Sequence, residues 1–161
     1  MRRFFTLLIL IAALVATYVW LTPYLTLQKL VAGMENEDPA IVERYVDFDR
    51  VKTSFQNDFV TSLGLEDGAQ SNMMDSIGTT LATRIAGTFI NNIVSPETMV
   101  SVLKDKDRRE RLGLSRELMT LLNRGEWVNG NQFVLHDDFG KPTMLLERTG
   151  AKWEVTAISL K

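Results

Sequence analysis

WVNGNQFVLHDDFGKPTMLLERTGAKWEVTAISL, residues 127–160, is where the apolar pattern of this chain changes its period. Upstream, apolar side chains recur every three or four positions. Here Phe133 and Leu135 alternate with polar neighbours, as on a strand with one buried face. Asp138-Phe139-Gly140-Lys141 reads as a turn, and Thr143 to Glu147 as a short strand of mostly apolar residues. Thr149-Gly150-Ala151-Lys152 turns the chain again. Trp153, Val155 and Ala157 then alternate until Ile158 and Leu160 shift phase, the mark of a bulge or a strand end. Three strands joined by tight turns make an antiparallel meander, and Trp127-Val128 ahead of Asn129-Gly130 offers a fourth. A run of helices followed by this three- or four-stranded meander predicts an α+β fold, with the helices packed on one face of the sheet.

The helical part is punctuated three times by the same device, a side-chain cap followed by proline: Thr22-Pro23, Asp38-Pro39 and Ser95-Pro96. Each predicts a helix start. The first opens an element with Leu27, Leu30, Val31 and Met34 on one face, and the second a short helix built on Ile41, Val42, Tyr45 and Val46. A further acid, Asp47 or Asp49, caps a third helix carrying Val51, Phe55 and Phe59 four apart. Met74, Ile77, Leu81, Ile85, Phe89 and Ile93 form the longest apolar stripe, so a helix over 72–94 is expected as the spine of the core. Arg84, Asn91 and Asn92 make it too polar to span a membrane. Residues 104–111, almost wholly charged with mixed signs, read as a solvated face or linker. Leu118 to Leu122 belong to a last helix, with Ser115 as its candidate cap.

Upstream of all this, Phe4 to Leu21 runs without a charge, and it rises roughly 27 Å as a helix. That matches a hydrocarbon layer of about 30 Å and exceeds the apolar core of a cleavable signal peptide. Signal peptidase needs small residues one and three positions before its cut. Ala16 would serve as the last residue, but Leu14 then stands where a small one is required. Residues 1–21 are therefore expected to be a retained anchor, with Phe4, Leu8, Leu14, Trp20 and Leu21 in contact with the lipid bilayer, and residues 22–161 a single exported α+β domain. Tyr18, Trp20 and Tyr24 cluster where the anchor would leave the hydrocarbon. Arg2 and Arg3 precede the run, and Lys29 is the one cation between it and Arg44. The positive-inside rule then places the N-terminus in the cytoplasm. The expected location is the inner, cytoplasmic membrane, crossed once, with the body periplasmic or extracytoplasmic.

Composition removes several classes of function. Without Arg2 and Arg3 the body is more acidic than the whole chain's formal −2, which argues against nucleic acid as a partner. With no cysteine there is no disulfide, thiolate metal site or cysteine nucleophile. His136 is the one histidine, and Asp137 and Asp138 follow it; neighbours on a strand point to opposite faces, so the three are not expected to share a metal ion. His136 reads as plain surface at a strand end. Asp47 and Asp49 suit a helix start better than paired acid–base work. Trp127, Phe133 and Trp153 are the candidate wall of an apolar pocket, with packing in the core as the competing reading. Neither a metal nor a cofactor is expected.

Three segments carry a resemblance: Pro23-Tyr24-Leu25-Thr26-Leu27 at the end of the apolar helix, Glu43-Arg44-Tyr45-Val46-Asp47-Phe48, and Lys152-Trp153-Glu154-Val155-Thr156. Together they resemble a bacterial family known only as the domain of unknown function numbered 2939, over most of residues 18–160. The chain departs from it at Lys52, where the family commonly has arginine, and at Asp49, where it often has proline. The resemblance implies an exported, membrane-associated protein and brings no catalytic residue. Helices preceding a curved antiparallel sheet are also similar, at the level of fold, to nuclear-transport-factor-like domains, which supplies no function. The residues themselves favour a non-catalytic module that binds an envelope protein, a lipid or a small apolar ligand. The alternative is an envelope enzyme with a carboxylate-based site.

Overall fold

The computed structural model describes residues 2–62, Gly87, Ile90 and 94–159. Among these, six helices precede a four-stranded antiparallel sheet, the α+β order that the change of period predicts. The helices are α1 (Arg2–Glu35), α2 (Pro39–Tyr45), α3 (Phe48–Ser62), α4 (Pro96–Leu103), α5 (Lys106–Arg111) and α6 (Leu118–Arg124). The strands are β1 (Gly125–Asn129), β2 (Gln132–His136), β3 (Pro142–Thr149) and β4 (Lys152–Ile158), each paired with the next. Trp127 therefore does belong to a fourth strand. The helix expected over 72–94 lies outside the described residues, except that Gly87 and Ile90 are helical and Ile90 packs against the core.

Thr22-Pro23 does not start a helix; α1 runs through it unbroken. Proline lacks the N–H that would bond to the carbonyl four residues back, which here is Val19. The Thr22 hydroxyl donates to that same carbonyl at 2.6 Å and so replaces the missing donor. Its oxygen in turn accepts from Trp153 Nε1 at 2.9 Å, tying α1 to β4. A hydroxyl beside a proline serves as a cap outside a helix and as a repair within one. The sequence motif is the same in both cases.

One helix thus has two environments. Phe4 to Tyr18 are exposed, whereas Tyr24, Leu27, Leu30, Val31 and Met34 are buried in the core. The apolar part of α1 is long enough to cross a membrane. The other two cap-plus-proline starts hold. Asp38 accepts from the amides of Ala40 and Ile41, and Ser95 from that of Thr98. Asp47 accepts from Arg50 N at 3.1 Å, so it caps α3, and Asp49 falls in the first turn. Ser115 is not the cap of α6, which has Glu117 at that position without a side-chain bond to the helix amides.

Residues 104–111 present a solvated face, as expected, with one exception. Residues 106–111 fold into α5, and Arg109, alone in this stretch, is buried and only 5% exposed. Its guanidinium donates to the carbonyls of Leu103 and Lys104, at the end of α4, and to Glu35 Oε1 at 2.7 Å. Five donors in a planar fork can close a helix end and pair a carboxylate at once. The charge alternation around Arg109 hides this role.

On the sheet, Trp127, Phe133, Leu135, Leu146, Trp153 and Val155 share the face turned towards α1. The phase shift in β4 is a bulge: Leu145 pairs with Ala157 but Leu146 with Val155, leaving Thr156 as the extra residue. Ala157, expected inward, is therefore only half-buried, and Ile158 returns to the core. Val46 bridges to Val155 and Asp47 N donates to the Val155 carbonyl, so the α2–α3 link covers the outer edge of β4.

Contacts along α1 orient the sheet. Thr22 meets Trp153, and the Tyr24 ring lies 4.8 Å from Phe133. Further on, Val31 and Glu35 stand beside Leu114 and Arg116. Leu112, just before Leu114, accepts from Thr143 Oγ1, which also donates to Leu135. The β1–β2 and β3–β4 turns thus lie towards the apolar half of α1, and the β2–β3 turn lies at the far end.

Candidate functional site

The α6–β1 junction opens a cleft at that far end. Gly125 leads straight from α6 into β1, because a side chain there would collide with the tip of the Phe133 ring and crowd Leu121 O and Tyr24. Thr120 and Asn123 of α6, Arg124 to Glu126, and His136 with the turn after it enclose a volume of ≈ 660 Å³. A second cleft of ≈ 440 Å³ between the end of α1, α5 and α6 shares Thr120 and Arg124 with the first. Both are walled largely by polar and charged side chains.

His136 is not plain surface. Its side chain is 21% exposed and lines this cleft. Nδ1 lies 3.2 Å from the Arg124 carbonyl, an acceptor, so that contact calls for the tautomer with hydrogen on Nδ1. Nε2 then faces Glu126 Oε2 at 3.7 Å. The two aspartates have separate work. Asp137 accepts from the amides of Phe139 and Lys141 and shapes the turn, while Asp138 pairs with Arg124. Among the described residues no three histidine, aspartate or glutamate side chains are grouped so as to hold a metal ion. Gly113 (φ +76) passes directly beneath the His136 carbonyl, where a Cβ would clash with that oxygen, and so fixes the end of β2.

Arg124 and Glu126 escape a sequence reading because they sit on either side of the period change. Nothing local says that a helix end and a strand start will face His136 across a turn. The one available signal is the glycine between them.

Trp127, Phe133 and Trp153 lie at the other end of the sheet. Trp127 stands edge-on to both, with centroids 5.9 Å from Phe133 and 5.2 Å from Trp153. Phe133 and Trp153 are buried, Trp127 is half-buried, and its enclosed Nε1 has no hydrogen-bond partner among the described residues. Neither cleft is lined by any of the three. Of the expected lipid-facing residues, Phe4, Leu8, Leu14 and Trp20 are exposed along α1, and Leu21 packs against the core.

A family model described as a protein of unknown function matches residues 12–102, more than half the chain. The match runs from the apolar half of α1 to α4 and stops short of the sheet and the cleft. No curated protein and no solved structure matches.

Proposed function

Since the chain belongs to the DUF2939 family, whose description assigns no activity, we propose its function from its own geometry: a single-pass, membrane-anchored module that binds a partner in the cell envelope without transforming it. The observation that carries this reading is the unbroken α1. Its exposed apolar half leads into its buried half with no linker between them. A flexible tether would let the body wander. One continuous helix instead holds the second cleft, and the first that adjoins it at Thr120 and Arg124, at a set height, because Val31 and Glu35 of the second lie roughly 15–20 Å along the axis beyond Leu21.

The cleft suits a polar or charged segment of a partner. It presents both signs of charge, from Arg124, Glu126, Asp137 and Asp138. Its ionisable groups are already committed to the turn, to the helix end or to one another, which supports binding over catalysis. The body is proposed to lie outside the cytoplasm, on the strength of Arg2 and Arg3. A phosphatase that works only after export, fused behind Lys161, should be active; a stable but inactive fusion would reverse the topology.

His136 favours a second reading, an enzyme using the imidazole with Glu126, because the two face each other in the cleft. Crosslinking from intact membranes separates the readings. His136→Ala, at matched abundance and melting temperature, should still capture the partners that the unaltered protein captures and preserve any phenotype of the intact gene. Loss of that phenotype with the captured partners unchanged would make the enzyme the better hypothesis.

A further inference from the structure

The end of the sheet nearest the apolar half of α1 carries a surface that the cleft does not use. Residues 128–131, around the β1–β2 turn, and 148–152, around the β3–β4 turn, are all exposed. Both turns lie at this end because the sheet is a simple meander, and Trp153 fixes its height by bonding to Thr22. From Trp153 the chain extends back through Lys152 to Gly150, about 3–10 Å further towards the bare part of the helix. The apolar run ends at Leu21, one residue from Thr22. A bilayer around that run therefore begins where the tips are.

The chemistry of the tips matches that position. Arg148 and Lys152 are their two charged residues, and no acid stands among 128–131 or 148–152, although the chain as a whole is formally −2. Glu147, next to Arg148, is already held by Arg50 and Gln132. Val128, at the β1–β2 turn, is 56% exposed, and Trp20 is 48% exposed on α1. Cations with exposed apolar and indole groups at one level form the pattern that suits a lipid headgroup layer.

We infer that both hairpin tips rest on the membrane that holds α1, with Arg148 and Lys152 against lipid phosphates and Val128 and Trp20 at the headgroup boundary. This rests on the anchor reading above. Contact at the tips, together with α1, gives the body more than one support and stops it from tilting about its helix. The cleft then faces away from the lipid in a set orientation.

The chain has no cysteine, so single-thiol variants can be labelled at one chosen point. Asn131→Cys and Ala151→Cys place a fluorophore on the tips, and Lys141→Cys places one at the far turn. The full chain is reconstituted into phosphatidylcholine vesicles, with and without phosphatidylglycerol, that carry a nitroxide on some headgroups. Labels at 131 and 151 should be quenched several-fold more than the label at 141. Quenching should increase with phosphatidylglycerol and decrease with salt, or when Arg148 and Lys152 are both changed to glutamate. Equal quenching at 131, 151 and 141, in protein that floats with the vesicles, would overturn the tip contact and leave the anchor standing. Failure to float would overturn both. Tip labels shielded from water but not quenched by lipid would mean that a second copy covers them, against the inference. Indifference to salt and to charge reversal would remove the role of the two cations.

Discussion

Arg109→Ala should destabilise the body by about 3–5 kcal/mol, a large loss for one exchange within a charged run. Arg109 is almost fully enclosed, and its partners come from two other elements: the carbonyls of Leu103 and Lys104 at the end of α4, and Glu35 at the end of α1. Truncation leaves two carbonyls without their donor. It also leaves the Glu35 carboxylate with Arg116 alone, whose side chain is 68% exposed and contributes little in water. Arg109→Lys keeps the charge but cannot fork to the carboxylate and both carbonyls, so it should recover only part of the loss. Arg108→Ala, one residue away and exposed, is the control and should change stability by under about 0.5 kcal/mol. Denaturant unfolding of the detergent-solubilised full chain measures all three. A loss at Arg109 no greater than at Arg108 would mean that the α1–α4–α5 junction does not depend on this guanidinium.

Phe133→Ala should cost about 3–5 kcal/mol. The ring is wholly buried and meets Tyr24 and Trp127 edge-on, so its removal opens a cavity and forfeits two aromatic contacts. The neighbourhood cannot easily collapse into the gap, because Gly125 on the paired strand has no side chain to offer. A sharper result follows from this. Gly125→Ala in the unaltered protein drives a Cβ into the tip of the Phe133 ring; after Phe133→Ala that obstacle is gone. The second substitution should therefore cost less in the Phe133→Ala background than alone, with a coupling of about 1 kcal/mol or more. Strict additivity would show that the ring is not what keeps position 125 a glycine. Full relaxation is not expected, since Leu121 O and Tyr24 Cε1 also lie 2.9 Å from that Cβ position.

Much of the fold is legible from local chemistry alone. The change from helical to strand period near residue 127 determines an α+β order and a meander, because turns of a few residues leave antiparallel neighbours as the only short connection. Asp38-Pro39 and Ser95-Pro96 start helices as they read, since cap and amide lie within three residues of each other. The apolar run from Phe4 to Leu21 is helical throughout and exposed from Phe4 to Tyr18, and that too is written in consecutive residues.

Other features depend on partners far along the chain. Thr22-Pro23 is ambiguous by itself, and Trp153, distant by 131 positions, is among the groups that hold Thr22 inside α1. Arg109 looks solvated until Glu35, distant by 74, is brought to it. His136 reads as surface until the end of α6 closes over one side and makes it part of a cleft. In each case a polar side chain has a cheap local option, in water or at a cap, and a second option that exists only after packing. Short-range periodicity records which faces are apolar. It does not record which polar group will be enclosed, because that is decided by whether a distant donor or acceptor arrives to offset the loss of water.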